Sequence, residues 1–222
     1  AERIWRDRTS FFKDGAPKPQ RLTATILFSD IKGFTPLSES LQEEALMAWL
    51  NAYMTEMATA VLENGGIIDK YIGDAVMAIY GAPQARTTEA EIDQDARAAA
   101  ATALRMAEKL AALNERNAAQ GLPRIGMRVG LHTGTLVAGS LGSHERLEYT
   151  VIGDTVNVAA RFESAANRIF ETETPAPEIA IAISEATQVR LGGAFRTKPL
   201  GALELKGKSE PMPAFQLLGR NA

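Results

Sequence analysis

Two aspartates give this sequence its first chemical suggestion. Asp30 follows an apolar, β-branched run at 22–28 (LTATILF). Asp74 follows Gly73 in the turn between two short apolar runs, Ile67–Ile72 and Ala75–Tyr80, that read as a β-hairpin. If the first run lies beside that hairpin, the two carboxylates converge at neighbouring strand ends. Paired hard oxygen ligands are what a two-cation phosphoryl-transfer site requires. Aspartates in turns also serve the turn itself, bonding to their own backbone. Taken alone, the pair leaves both readings open.

Other residues extend the first reading. Ile31, Lys32, Gly33, Phe34 and Thr35 follow Asp30 directly. Gly33 permits close backbone approach, and N–H groups at a strand-to-helix turn can cradle phosphates. Asn157 and Arg161 are four apart in a predicted helix and so share a face. An amide and a guanidinium there can hold a ribose and a pentavalent phosphorus. A mobile lysine of the Lys206-Gly207-Lys208 turn could reach a terminal phosphate. Each of these also has a plain structural reading as a cap, a solvated arginine or a solvated turn. His132 reads as a structural strand histidine, and His144 carries no role.

Composition narrows the chemistry. The chain has 222 residues, long enough for one substantial core and short for two full domains. With no cysteine and two histidines, thiolate and His-rich zinc sites are excluded, leaving a hard cation such as Mg²⁺ or Mn²⁺ held by oxygen. The net charge of -3 gives no footprint for nucleic acid. No apolar run approaches the roughly 18 residues of a membrane span, and no signal peptide is visible. The chain begins at Ala1 rather than Met and reads as a portion of something longer.

The elements that must position these groups follow from periodicity. Residues 1–20 read as a linker or partial helix broken by Pro17 and Pro19. A strand at 22–28 leads through a turn to a helix over 41–62, with Ser38 or Ser40 as its cap and Asn64-Gly65-Gly66 as its stop. The hairpin comes next, then an Ala-rich helix over 89–117. Strands at 125–132 and 136–140 pair around Thr133-Gly134. A strand at 148–152, a helix at 155–166, a proline-containing loop at 167–178 and a strand at 179–183 come after. Ser184 caps a short helix, and strands at 195–205 and 214–218 close the chain. The order βαββαβ with appended elements predicts an α+β, ferredoxin-like core, with helices on one face of a mostly antiparallel sheet.

Four segments now carry a resemblance: 28–35 (FSDIKGFT), 70–78 (KYIGDAVMA), 127–134 (MRVGLHTG) and 149–161 (YTVIGDTVNVAAR). Together, in this order, they closely resemble the class III adenylate/guanylate cyclase catalytic domain, from about Arg21 to about Leu218. The resemblance implies a catalytic domain over 21–222. It implies that Asp30 and Asp74 hold two Mg²⁺ or Mn²⁺ ions, with the Ile31 carbonyl as a further ligand. Gly33, Phe34 and Thr35 resemble the phosphate-contacting turn. Lys70 and Thr150 fall at the purine-reading positions, Asn157 at the ribose-orienting one, and Arg161 at that of the transition-state arginine. Arg128 and Lys206 resemble contacts to the β- and γ-phosphates. In this family the site forms between two subunits, and one chain with both residue sets implies a homodimer.

The same resemblance implies ATP as substrate and a cytoplasmic catalytic domain, not itself membrane-inserted, under an upstream sensory region. Lys70 can donate to adenine N1 and Thr150 can accept from N6. Many adenylate cyclases carry Asp where this chain has Thr150. Threonine both donates and accepts, so discrimination is expected to lean on Lys70. The Lys/Thr pair resembles a subgroup that includes bicarbonate-responsive bacterial enzymes. Three other readings stand beside this one: a guanylate cyclase, a catalytically silent cyclase-like dimerisation domain, and a polymerase-like palm. Retention of Asp30, Asp74, Asn157 and Arg161 opposes the second, and the purine-reading pair opposes the third.

Overall fold

A computed structural model describes residues 12–13, 16–143, 147–205 and 209–221. Lys206, Lys208 and His144, and most of the expected N-terminal linker, lie outside these residues.

The framework is β1 (Gln20–Lys32), α1 (Phe34–Ser40), α2 (Glu43–Glu63), β2 (Ile67–Ile72), β3 (Ala75–Tyr80) and α3 (Glu89–Ala119). It continues with β4 (Gly126–Gly142), β5 (Leu147–Ile152), α4 (Asp154–Ala165) and α5 (Asn167–Thr172). The last elements are β6 (Ile179–Ser184), α6 (Glu185–Gln188), β7 (Phe195–Leu203) and β8 (Met212–Arg220). One sheet runs β2-β3-β1-β4-β6-β8-β7, and β5 pairs with the far end of β4. The first four strands thus have the order expected of a ferredoxin-like core, with β1 antiparallel to both β3 and β4.

β1 lies at the centre and is buried on both faces. Leu27 and Ile31 meet α2 and α3, while Leu22, Ala24, Ile26 and Phe28 meet the opposite layer. Helices therefore cover both faces, where one was expected. The reason is the apolar stripe of α4: Val158, Ala159 and Phe162 must also leave water. On the first face, Trp49, Tyr53, Met57, Ala60 and Val61 of α2 are buried at helical spacing. A capping box of Thr88 and Glu91 starts α3 and stabilises it by about 1 kcal/mol.

Three further expectations are corrected. The predicted turn at Thr133-Gly134 is absent, because both residues pair with β1 inside the uninterrupted β4. The glycines there serve close packing instead. A Cβ on Gly130 would lie 2.1 Å from Glu163 N and 2.5 Å from Ala159 O. Their absence of side chains lets α4 rest directly on the strand. The supposed loop after residue 166 opens with α5, since Ile169 and Phe170 are buried with Phe162 and Ala180. Ser38 and Ser40 do not cap α2; their hydroxyls donate to Thr35 O and Leu37 O, both in α1. Ser184 does cap α6, accepting from Thr187 N. His132 is buried in β4 with its Nδ1 2.7 Å from Ser184 Oγ, the structural place expected of it.

Candidate active site

The first cluster sits at the end of β1. Gly33 follows at φ 85, a left-handed conformation that glycine adopts freely, and turns the chain into α1 at Phe34 and Thr35. α1 is short, and its first turn carries no acidic residue. The hairpin turn brings Asp74 to Asp30, as the strand order required. The Asp74 carboxylate accepts from its own backbone N–H and from that of Ile31, and it lies within hydrogen-bond reach of Asp30. Burial, and next the charge on Asp30, push the Asp74 carboxyl above the usual carboxylate range. Beneath them Tyr53 and Ser29 are buried, and their hydroxyls lack an aligned hydrogen bond. Burial and the same two aspartates push the Tyr53 phenol up.

Register explains how Arg128 joins this cluster. It is the direct cross-strand partner of Asp30 in the β1–β4 ladder, so both side chains leave the sheet on one face. Its Nη2 bonds Asp30 Oδ2. Its Nε lies 2.7 Å from Glu163 Oε1 on α4, close but poorly aligned. Glu163 was not anticipated. Its signal was a carboxylate inside the apolar stripe of α4, next to the buried Phe162. Burial pushes its carboxyl up, and Arg128 opposes that rise. Asp30 and Glu163 thus share the Arg128 guanidinium, and Asp74 meets Asp30 beside them.

Asn157 and Arg161 lie one turn apart on α4, as their spacing predicted. Asn157 is exposed; Arg161 is half-buried, and its Nη1 is buried with no hydrogen-bond partner. A buried unpaired donor costs about 1–3 kcal/mol. Such a cost is commonly found where a ligand completes the bonding.

The second cluster joins residues 80 positions apart. β4 and β5 form an arm that folds over the face carrying Phe28 and Met77, with Val151 and Tyr149 packed against them. Lys70 Nζ then donates to Thr150 Oγ1 at 3.1 Å. Thr150 Oγ1 donates in turn to Asp69 Oδ2 at 2.9 Å, a partner that sequence reasoning missed. The available signal was two consecutive charges in a short apolar strand, which breaks two-residue alternation.

Among the described residues no group of three or more His, Cys, Asp or Glu side chains could hold a metal ion by itself. The Asp30–Asp74 pair still fits a hard divalent cation. Like charges in mutual contact are relieved by one, and Mg²⁺ commonly takes one or two protein carboxylates and completes its shell with phosphate and water.

Residues 17–219 match the family described as the adenylate and guanylate cyclase catalytic domain, and the chain belongs to it. It is 37% identical over 199 residues to adenylate cyclase 1 of Rhizobium meliloti, covering 90% of this chain and 28% of that protein. It is 34% identical to an adenylate cyclase of Anabaena cylindrica, covering 91% of this chain and 38% of that protein. The chain thus spans well under half the length of these relatives. Among solved structures, the adenylyl cyclase CyaB from P. aeruginosa superposes with a TM-score of 0.81 at 35% identity, covering 92% of this chain and 97% of that one. The guanylyl cyclase Cya2 superposes with a TM-score of 0.76 at 30% identity, covering 91% and 94%. No helix among the described residues is long and apolar enough to cross a membrane.

Proposed function

We propose that this domain converts ATP to 3′,5′-cyclic AMP and pyrophosphate. The carrying observation is the contact of Lys70 Nζ with Thr150 Oγ1, which sets a donor beside a hydroxyl where the family reads the purine. Adenine presents an acceptor at N1 and a donor at N6, and this pair complements both. The adenylate cyclases among the relatives support the same choice.

In the proposed reaction the ribose 3′-oxygen attacks the α-phosphorus in line. A new P–O bond forms, the bond to the bridging oxygen breaks, and pyrophosphate leaves with that electron pair. The hydroxyl proton passes to solvent or to the substrate. Asp30, Asp74 and the Ile31 carbonyl would hold two Mg²⁺ or Mn²⁺ ions, which when bound acidify the hydroxyl and neutralise phosphoryl oxygens. Gly33, Phe34 and Thr35 line the phosphate turn. Arg128 would exchange its bond to Asp30 for the β- and γ-phosphates, with Lys206 assigned to the same end. Asn157 orients the ribose. Arg161 neutralises charge that grows in the transition state, so its contribution belongs to kcat.

The active unit is proposed to be a homodimer. The aspartates of one subunit act with Lys70, Thr150, Asn157 and Arg161 of the other. Bicarbonate stimulation is carried with the Lys/Thr pair; a flat response to bicarbonate at constant pH would remove it. The primary test is a cyclase assay with Mn²⁺ or Mg²⁺ and equimolar ATP and GTP. Cyclic AMP should dominate. A predominance of cyclic GMP would establish the guanylate reading, which the similarity to Cya2 keeps in view.

A further inference from the structure

Threonine is an ambiguous reader of a base edge, because its hydroxyl both donates and accepts. In this protein that ambiguity is removed. Thr150 is buried, and its Oγ1 has two close partners that cannot exchange roles. Lys70 Nζ, an ammonium, only donates, and it lies 3.1 Å from Oγ1. Asp69 Oδ2, a carboxylate oxygen, only accepts, and it lies 2.9 Å away. The single Thr150 proton therefore points at Asp69, and Lys70 occupies one oxygen lone pair. One lone pair is left, so toward a ligand the hydroxyl is an acceptor.

The backbone shows how Asp69 arrives there. Neighbouring residues of a regular strand point to opposite faces. The β2–β3 register shifts between Ile68 and Lys70, so Asp69 is the extra residue of a β-bulge. The bulge lets Asp69 and Lys70 reach the same hydroxyl, with Lys70 Nζ 3.2 Å from Asp69 Oδ2. The Asp69 side chain is 1% exposed, against 39% for Lys70. Asp69 is thus too buried to meet a base itself and can act only through its neighbours.

We infer that Asp69 is a positioning residue that commits Thr150 to accepting a hydrogen bond, and so selects a nucleotide base with an exocyclic amino donor over one with a carbonyl. The inference rests on the adenylate reading above. Adenine N6 donates into the free lone pair. Guanine O6 would face that lone pair with its own, while the proton that could satisfy it is held by Asp69. Without Asp69 the hydroxyl can turn its proton outward and accept either base. Discrimination is then shared between Lys70 and Thr150 rather than resting on Lys70 alone.

The test is the ratio of kcat/KM for ATP to that for GTP, together with calorimetric affinities for 3′-deoxy-ATP and 3′-deoxy-GTP, which bind without cyclising. Asp69→Ala should lower the ATP:GTP ratio on the order of tenfold, through KM and affinity, with kcat for ATP little changed. Asp69→Asn should stay near wild type, because its amide oxygen can face both Lys70 and Thr150. In a Thr150→Val background, Asp69→Ala should leave the ratio where it was. Asp69→Val, suited to an extended strand, serves if the alanine variant does not fold. An equal loss for both nucleotides at constant ratio, or a ratio change that persists with Val at 150, overturns the inference. Wild type that cyclises both nucleotides equally, or prefers GTP, fails the adenylate reading and the inference with it. An ATP preference that survives Asp69→Ala leaves that reading intact and overturns the inference alone.

Discussion

The two clusters of this domain are built on opposite electrostatic terms. Around Lys70 and Thr150 the polar groups answer one another: ammonium, hydroxyl and carboxylate form a closed set with one acceptor position left over. Around Asp30 and Asp74 they conflict. Like charges touch, Glu163 adds a third carboxylate, and Arg128 is drawn between Asp30 and Glu163. A base differs from its competitors by hydrogen-bond pattern, and a settled network reads patterns well. A triphosphate with its cations brings large charges, and an unsettled cluster leaves binding energy to be gained from them.

The contrast can be broken most sharply at Asp74. Asp74→Asn should take cyclase activity to background, yet raise the Tm of protein kept free of metal at neutral pH. The sign follows from its carboxyl, which burial and Asp30 hold above the unfolded value. Such a group costs the folded state stability once it is ionised. The variant's gain should be full above the folded-state pKa and vanish as the pH falls through it toward the unfolded value. Thermal melts in chelator across pH check this. A lower Tm for Asp74→Asn at neutral pH would contradict the claim of conflict.

Arg161→Ala should come next, lowering kcat by roughly 10²–10³-fold with little change in KM, the pattern of a group that acts in the transition state. Steady-state kinetics with ATP reads it directly. A change confined to KM would make Arg161 a ground-state contact instead. A smaller effect is expected from Gly130→Ala. The new methyl would meet the α4 backbone rather than a yielding side chain, so the helix must move. Overpacking of this kind costs about 1–3 kcal/mol, and displacing Asn157 and Arg161 should lower kcat by about 10-fold or more. Activity and melting should fall together, unlike at Asp74.

The smallest effect belongs to a site distant in role from both clusters. Glu56 of α2 accepts from Lys109 and Arg116 of α3, and these partners hold its carboxyl below the usual range. Its contribution is present above the unfolded pKa and lost as the pH falls through the folded one. As a partly exposed pair it stabilises by about 0–1 kcal/mol. Glu56→Gln should lower Tm slightly at neutral pH, leave kcat unchanged, and match wild type in acid.

Much of this architecture was legible in the residues. The hairpin runs Ile67–Ile72 and Ala75–Tyr80 fall on their strands because Gly73-Asp74 marks the turn and the flanks are β-branched. The apolar stripes of α2 and α3 were readable from helical spacing. The Asp30–Asp74 meeting followed once βαββ order placed β1 beside the hairpin. Elements decided by tertiary packing were not legible. Gly134 looked like a turn signal when its place is fixed by the approach of Thr155. The helix α5 lies in polar, proline-flanked sequence and exists because Ile169 and Phe170 find a buried cluster. Asp69 and Glu163 left only local anomalies, a second charge in an apolar strand and a carboxylate in an apolar stripe, and the bulge and cross-layer ion pair that give them partners are set by tertiary packing.

The central claim is that the aspartate cluster of one subunit works with the α4 residues of another. Mixing Asp74→Ala with Arg161→Ala, each inactive alone, tests it most directly. Random reassortment makes half the dimers mixed, each with one intact site of two, so about a quarter of wild-type activity should return. No recovery from folded, dimeric, exchanging variants would contradict the shared site.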